Sequence, residues 1–361
     1  MKKFIALLLT ILLLVPSLDA KKKSKKSTSS KKSSVSYKYK KKHSRTHSRK
    51  KSKKKKRTRY TYVDPLKYKR KTKIPTSFEE LIFRGRGYVI KIRAKQFRQG
   101  NLAFLRIYSN NPECRLDISQ YRILWRNTQI SLSPTRKGYI GIVPIHPEQK
   151  VGLNDLVVHR KSKTKSTTET FSINIRDTQF PVRKMYSRLR VPKKYVPRGY
   201  SAETQRFIEK CDLKKQKAFS TISDMQISGR FVSPVNTLFV TSPFYTKRYY
   251  HPKRKGKPHG GVDLRGKIGF PIYAIQNGKV LISERMFFEG IFTVIDHGSQ
   301  MFSLYMHQSK TLVKEGDFVK KGTKIGEIGS TGVSTGPHLH LGLRVDGVMI
   351  NPLSVLEVSL Y

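Results

Sequence analysis

From about residue 77 onward the chain alternates apolar and polar positions in short runs. Gly87-Tyr-Val-Ile-Lys-Ile-Arg, Leu102-Ala-Phe-Leu-Arg-Ile-Tyr, Tyr121-Arg-Ile-Leu-Trp, Gly138-Tyr-Ile-Gly-Ile-Val and Thr170-Phe-Ser-Ile-Asn-Ile all show the period of two expected of half-buried strands, with turn residues between them. About seven such strands in a hundred residues predict a small β-sandwich over 75–180, immunoglobulin-like in outline. Between 181 and 228 the pattern changes. Pro181, Pro192 and Pro197 break the first half; then Ser201 offers an N-cap and Glu203 falls in the first turn. Phe207, Ile208, Cys211 and Phe219 mark one face of a short helix running to about residue 218. Residues 229–361 return to short apolar runs such as Thr293-Val-Ile and Lys324-Ile-Gly-Glu-Ile. Ten glycines from Gly269 to Gly336 punctuate them and no long helical period intervenes, so a compact antiparallel sheet with long loops is expected.

Charge changes the picture at the N-terminus. The chain of 361 residues has 75 Lys+Arg against 23 Asp+Glu, a formal +52. From Lys21 to Lys73 there are 26 Lys+Arg and one acid, Asp64, so that +25 falls in 53 residues rich in Ser and Thr. Self-repulsion and scarce apolar residues make 21–74 a disordered basic tail. Ahead of it, Lys2 and Lys3, the apolar run Phe4 to Val15 and Leu18-Asp-Ala20 read as a signal peptide over 1–20. The apolar run is shorter than the roughly 20 residues a membrane span needs. Export to the periplasm or cell envelope is therefore expected, and there a basic tail would meet anionic envelope polymers or lipid head groups. No nucleic-acid fold motif accompanies the charge, and nucleic-acid binding is not expected. The fold class is thus mainly β: basic tail, sandwich, helical linker and C-terminal sheet domain, expected as a monomer.

Candidate chemistry lies in two motifs of the last domain. His259-Gly-Gly-Val-Asp263 sets an imidazole and a carboxylate four residues apart, with a glycine pair that lets backbone approach closely. In Gly336-Pro-His338-Leu-His340 the two histidines alternate with Leu339, Leu341, Leu343 and Val345, so both imidazoles share one strand face. Nitrogen and oxygen donors in such a cluster suit zinc. His307 is a fifth candidate: Phe302, Leu304 and Met306 alternate with Ser303, Tyr305 and His307, which places His307 on the polar face of its strand. His297, in an Asp-His-Gly turn, reads as structural.

From about Val232 to its end the chain resembles the lysostaphin-type (LytM-like) zinc endopeptidases that act on bacterial peptidoglycan. The resemblance rests on His259-x-x-x-Asp263, Gly269-Phe-Pro-Ile-Tyr-Ala, Asn277-Gly-Lys-Val, Asp296-His-Gly, Tyr305-Met-His307, the run Val313 to Gly329, and Ser334-Thr-Gly-Pro-His338-Leu-His340. It implies that His259, Asp263 and His340 bind Zn2+ and that His307 and His338 are catalytic. Three protein ligands leave a fourth tetrahedral position for water, as hydrolysis requires. No HExxH glutamate is present, so proton handling falls to histidine. One departure is that many relatives follow His-x-His with Phe-Glu, where this chain has Leu341-Gly342. The implied function is hydrolysis of peptide bonds in peptidoglycan cross-links or stem peptides. The readings set against it are a non-enzymatic envelope regulator or amidase activator on the same fold, and a polyanion-binding protein acting through its tail. Cys114 and Cys211 are compatible with one bridge or with two separate thiols.

Overall fold

The computed structural model describes residues 78–162, 164–184, 195, 199–251, 254–356 and 358. The expected signal peptide at 1–20 and the basic tail at 21–74 lie outside the described residues.

The first half is a two-layer sandwich, as its alternating runs predict. Its strands are β1 (Glu79–Gly85), β2 (Tyr88–Ala94), β3 (Leu102–Ser109), β4 (Tyr121–Trp125), β5 (Thr128–Gln129), β6 (Leu132–Thr135), β7 (Gly138–Pro144), β8 (Gly152–Lys161) and β9 (Ser166–Ile175). One sheet runs β1-β2-β3-β7-β6 and the other β5-β4-β8-β9. Tyr88, Ile90, Leu105, Ile123, Leu156 and Ile173 meet between them in one core. The Trp125 indole N–H donates to the Pro144 carbonyl across the layers, at 3.2 Å.

Strand β10 (Val182–Lys184) leads toward helix α1 (Ala202–Phe219), which Ser201 caps by accepting the Thr204 N–H. The buried positions of α1 are Cys211, Lys215 and Ala218. The expected face included Phe207, but that residue is 37% exposed and touches the edge of Phe287. A lysine holds the place an apolar residue would be expected to fill.

The last domain is a ten-stranded, wholly antiparallel sheet. Its strands are β11 (Val240–Ser242), β14 (Gly261–Arg265), β15 (Pro271–Tyr273), β16 (Gly278–Met286), β17 (Gly290–Asp296), β18 (Met301–Thr311), β19 (Phe318–Val319), β20 (Lys324–Ile328), β21 (His338–Val345) and β22 (Val348–Ile350). The main path is β11-β14-β21-β18-β17-β16-β19. Two short strands, β12 (Lys247–His251) and β13 (Arg254–Lys255), join β10 in a ribbon beside it.

Both faces of this sheet are used. Val262, Leu264, Tyr305, Leu339, Leu341 and Leu343 point into one core, which also takes in Leu102, Phe104, Ile140 and Ile142 from the outer face of the sandwich. Phe104 and Phe231 meet there with ring centroids 6.1 Å apart. Each such buried side chain contributes about 1.5–3 kcal/mol, so the two halves share a seam rather than a tether. On the other face, Cys211 and Ala218 of α1 pack on Ile282, Met286, Phe292, Val294, Phe302 and Leu304. The helix therefore covers the β16–β18 half, and the paired histidines fall on the β14–β21 half. Cys114 is exposed and Cys211 buried, and the two thiols are free. No helix among the described residues is long and apolar enough to cross a membrane.

His297 is built into this interior. Its Nδ1–H donates to the Asn277 carbonyl at 2.6 Å and its Nε2 lies 2.8 Å from the Ser303 Oγ. Burial pushes the imidazole down to about 4. The unfolded chain, at about 6.5, therefore takes up the proton first, so stability present above pH 6.5 is lost as pH falls toward 4. Urea titrations from pH 7 to pH 4 should show the wild type losing about 3 kcal/mol more than His297→Gln. Equal losses in the two proteins would show that His297 is not the group responsible.

Candidate metal centre

Strands β14 and β21 pair so that Asp263 lies opposite His340 and Arg265 opposite His338. Their alternate residues Val262, Leu264, Leu339 and Leu341 are fully buried in the core, which forces Asp263, His338 and His340 to the other face. His259 stands just ahead of β14, clamped by two backbone bonds: its N–H donates to Thr246 O at 3.1 Å and its carbonyl accepts from Tyr245 N at 2.8 Å. Three side chains then converge. His259 Nε2 and His340 Nδ1 each lie 2.9 Å from Asp263 Oδ1, and they are 3.0 Å from each other. Ligand bonds of about 2.0–2.1 Å would set tetrahedral neighbours about 3.3 Å apart, close to what is found.

The ring protons test whether a cation fits. His259 Nδ1 sits 3.0 Å from the Pro243 carbonyl, which can only accept, so the neutral ring carries its proton there. Its Nε2 then presents a lone pair to a carboxylate oxygen, a contact that only a cation between them or a second proton makes favourable. Two imidazoles and one carboxylate are also the donor set that zinc takes. The geometry fits a metal ion, and His259, Asp263 and His340 are the group that could hold it.

His338 and His307 follow the same rule. His338 Nδ1–H donates to Gly336 O at 2.8 Å and His307 Nδ1–H to Thr331 O at 2.9 Å. Their Nε2 atoms are left bare; that of His338 lies 3.6 Å from Asp263 Oδ1. The two rings are 4.8 Å apart by their centroids, and His307 is 6.1 Å from His340. The structure thus brings all five sequence-marked residues together.

His307 does not arrive by the alternation expected of it. Ser303 and Tyr305, its supposed face-mates, are buried, and Tyr305 belongs to the core on the far side. Between Tyr305 and Gln308 strand β18 has one residue more than its neighbour β17, a bulge, and His307 takes φ +65. That left-handed residue turns the imidazole to the face of His340.

Electrostatics agree. Burial alone would raise the Asp263 carboxyl, and positive charge shared with His259 and His340, which exists there only when those rings take a second proton or a cation stands in its place, outweighs it and holds it well below the usual carboxylate range. Burial, with the neighbouring His340 and His338, pushes His307 down to about 3. It also lowers His340.

The segment 257–352 matches the model of peptidase family M23. The C-terminal domain belongs to that family. Over 120 residues the chain is 40% identical to an uncharacterized metalloprotease of Haemophilus influenzae, a match covering 32% of this chain and 25% of the relative. Over 149 residues it is 34% identical to the peptidoglycan DD-endopeptidase ShyB of Vibrio cholerae, covering 41% and 32%. The catalytic domain of the antimicrobial peptidase lysostaphin from Staphylococcus simulans is 35% identical, over 30% of this chain and 81% of that one, with a TM-score of 0.28. The match thus spans about a quarter to a third of these curated relatives.

Several supports of the M23 site were not marked from the sequence. The carbonyls of Pro243, Thr331 and Gly336 belong to the backbone, which gives no residue-type signal. Ser242 Oγ lies 3.3 Å from His259 Nδ1, and Arg248 Nη2 lies 3.9 Å from Asp263 Oδ2. At Gly342, where Glu was the family expectation, an added Cβ would stand 3.3 Å from both Leu304 and Met349. Gly261 is tighter: a Cβ there would meet Leu341 O at 2.2 Å and His340 Nε2 at 2.7 Å. Gly261→Ala should therefore weaken Zn(II) binding at least about tenfold, as displaced supports of metal ligands do. Equilibrium dialysis checks this, and unchanged affinity would refute it.

Proposed function

We propose that the protein is an exported zinc metallo-endopeptidase that hydrolyses peptide bonds in peptidoglycan cross-links or stem peptides. In this reading His259, Asp263 and His340 hold Zn2+, and His307 and His338 are catalytic. The observation that carries it is the convergence of His259 Nε2, His340 Nδ1 and Asp263 Oδ1 within about 3 Å, beside two imidazoles with bare Nε2 atoms. The name of the V. cholerae relative points to peptidoglycan as the substrate.

When bound, zinc acts as a Lewis acid toward the scissile carbonyl and lowers the pKa of water from about 15.7 toward about 7. The remaining work belongs to the chain. Rings 4.8 Å apart let one of His307 and His338 take a proton from the attacking water and pass it to the departing amine. The other donates from Nε2 to the oxygen where negative charge develops once that nitrogen has taken up a proton, as the imidazolium whose Nδ1–H stays on its carbonyl. The carbonyls of Thr331 and Gly336 keep both rings in the orientation this needs. Export and contact of residues 21–73 with anionic envelope polymers or lipid head groups complete the proposal, on segments outside the described residues.

Purified full-length protein loaded with zinc should release soluble fragments with new amino termini from sacculi, and a chelator should stop it. His307→Ala should lose about 100-fold or more of that rate while still binding one equivalent of zinc. Mass analysis of the fragments identifies the bond cut. Intact sacculi after incubation with zinc-loaded protein would overturn the reading and favour a non-enzymatic envelope regulator.

A further inference from the structure

Lys215 occupies the middle of the buried face of α1. Its side chain, 11% exposed, donates to Glu289 Oε1 at 2.7 Å and to Asp212 Oδ1 at 2.8 Å, and the Glu289 side chain is only 5% exposed. Glu289 Oε2, also buried, has no hydrogen-bond partner among the described residues. Withdrawing two charges from water costs more than an apolar pair of similar size would, so this contact is a poor device for stability alone. What it does fix is a position.

Glu289 lies in the turn between β16 and β17. Its backbone carbonyl accepts the N–H of His307 at 2.9 Å. The next residue, Gly290 at φ +72, packs so closely on the 330–333 loop that a Cβ would stand 2.3 Å from Thr331 Oγ1. Thr331 in turn accepts the Ile291 N–H at 2.8 Å, donates to Gln308 O at 2.7 Å, and offers its carbonyl to His307 Nδ1. One turn of chain thus holds the backbone of His307 directly and its ring through Thr331. A histidine at φ +65 needs such over-determination, because the left-handed conformation is costly for a residue with a Cβ. One helical turn before Lys215, Cys211 belongs to the buried cluster on which Phe287 of the same turn packs.

We propose that Lys215 is a positioning residue: its ion pair with Glu289 locks the Phe287–Gly290 turn onto α1, and so sets the left-handed backbone and the Nδ1–H tautomer of His307. The linker helix is then part of the support of the active site. The inference rests on the catalytic role assigned to His307 above, but its physical core, the ring state of His307, is measurable without any reaction.

The full-length zinc-loaded protein, labelled with 15N-histidine, provides that measurement, with the His307 signals assigned by their loss in His307→Ala. In the wild type, His307 should show one protonated Nδ1 and one bare Nε2. In Lys215→Met the two shifts should move toward each other as the tautomers mix, and Lys215→Arg should restore the wild-type pattern. In the same proteins kcat on sacculi should fall about tenfold for Lys215→Met, with KM and zinc affinity within about twofold. In a His307→Ala background Lys215→Met should cost nothing further. If Lys215→Met does not fold, Lys215→Met with Glu289→Leu removes both buried charges and is expected to show the same tautomer mixing. Wild-type histidine shifts in a folded variant would overturn the proposal, as would a loss of rate undiminished in the His307→Ala background. If the wild type cuts no sacculi, the endopeptidase reading fails, and the shifts alone decide whether Lys215 positions His307.

Discussion

The site depends on one constraint: a backbone carbonyl can accept a proton but never give one. Pro243, Thr331 and Gly336 each place a carbonyl against the Nδ1 of one histidine, so His259, His307 and His338 must turn a bare Nε2 inward. The inward side also holds the Asp263 carboxylate, which can only accept when ionised. The lone pair of His259 faces a carboxylate oxygen at 2.9 Å and that of His338 faces the same oxygen at 3.6 Å, an arrangement that attracts a cation. Electrostatics alone thus selects the kind of occupant, and the remaining fold serves to hold the lone pairs where they are.

Strand register does most of that holding. Asp263 faces His340 because β14 and β21 are locked by buried Val262, Leu264, Leu339 and Leu341 on the reverse side. A slip of one residue would exchange the histidines for leucines, and the core forbids it. That core extends through Phe104, Ile140 and Ile142 into the outer face of the sandwich. The N-terminal sandwich therefore stiffens the same sheet that carries Asp263 and His340, whatever else it does.

How much of this could be read from the sequence follows from where each signal resides. His338 and His340 obey the period of two, and Gly260 and Gly261 announce an extended, close-packed approach between His259 and Asp263, so four of the five residues were placed correctly by pattern. His307 was grouped with these four by a geometry the structure does not have. The alternation rule put it beside Tyr305, which faces the core, and only the bulge at 306–307 reverses it. A bulge of this kind arises from the pairing of neighbouring strands, and no local run of residue types announces it. Lys215 was passed over for a related reason: in a helix stripe a lysine reads as solvent-facing, and its partner Glu289 is 74 residues away.

These two misreadings meet at one place. The bulge gives His307 its direction, but a left-handed histidine would relax toward ordinary strand geometry unless its neighbours forbade it. Its N–H is taken by Glu289 O and its ring by Thr331 O, and the two loops that supply them interlock through Gly290 and Gly332, where no side chain would fit. Apolar packing could hold these loops near each other with some latitude. A buried ion pair permits much less, because sliding by an ångström leaves a charge unpaired in a medium that penalises it. The local rules of helix and strand are broken at Lys215 and at His307, and the two breaks are joined by a single turn of chain. That is the pattern expected when a costly backbone conformation is retained for the direction it gives one side chain.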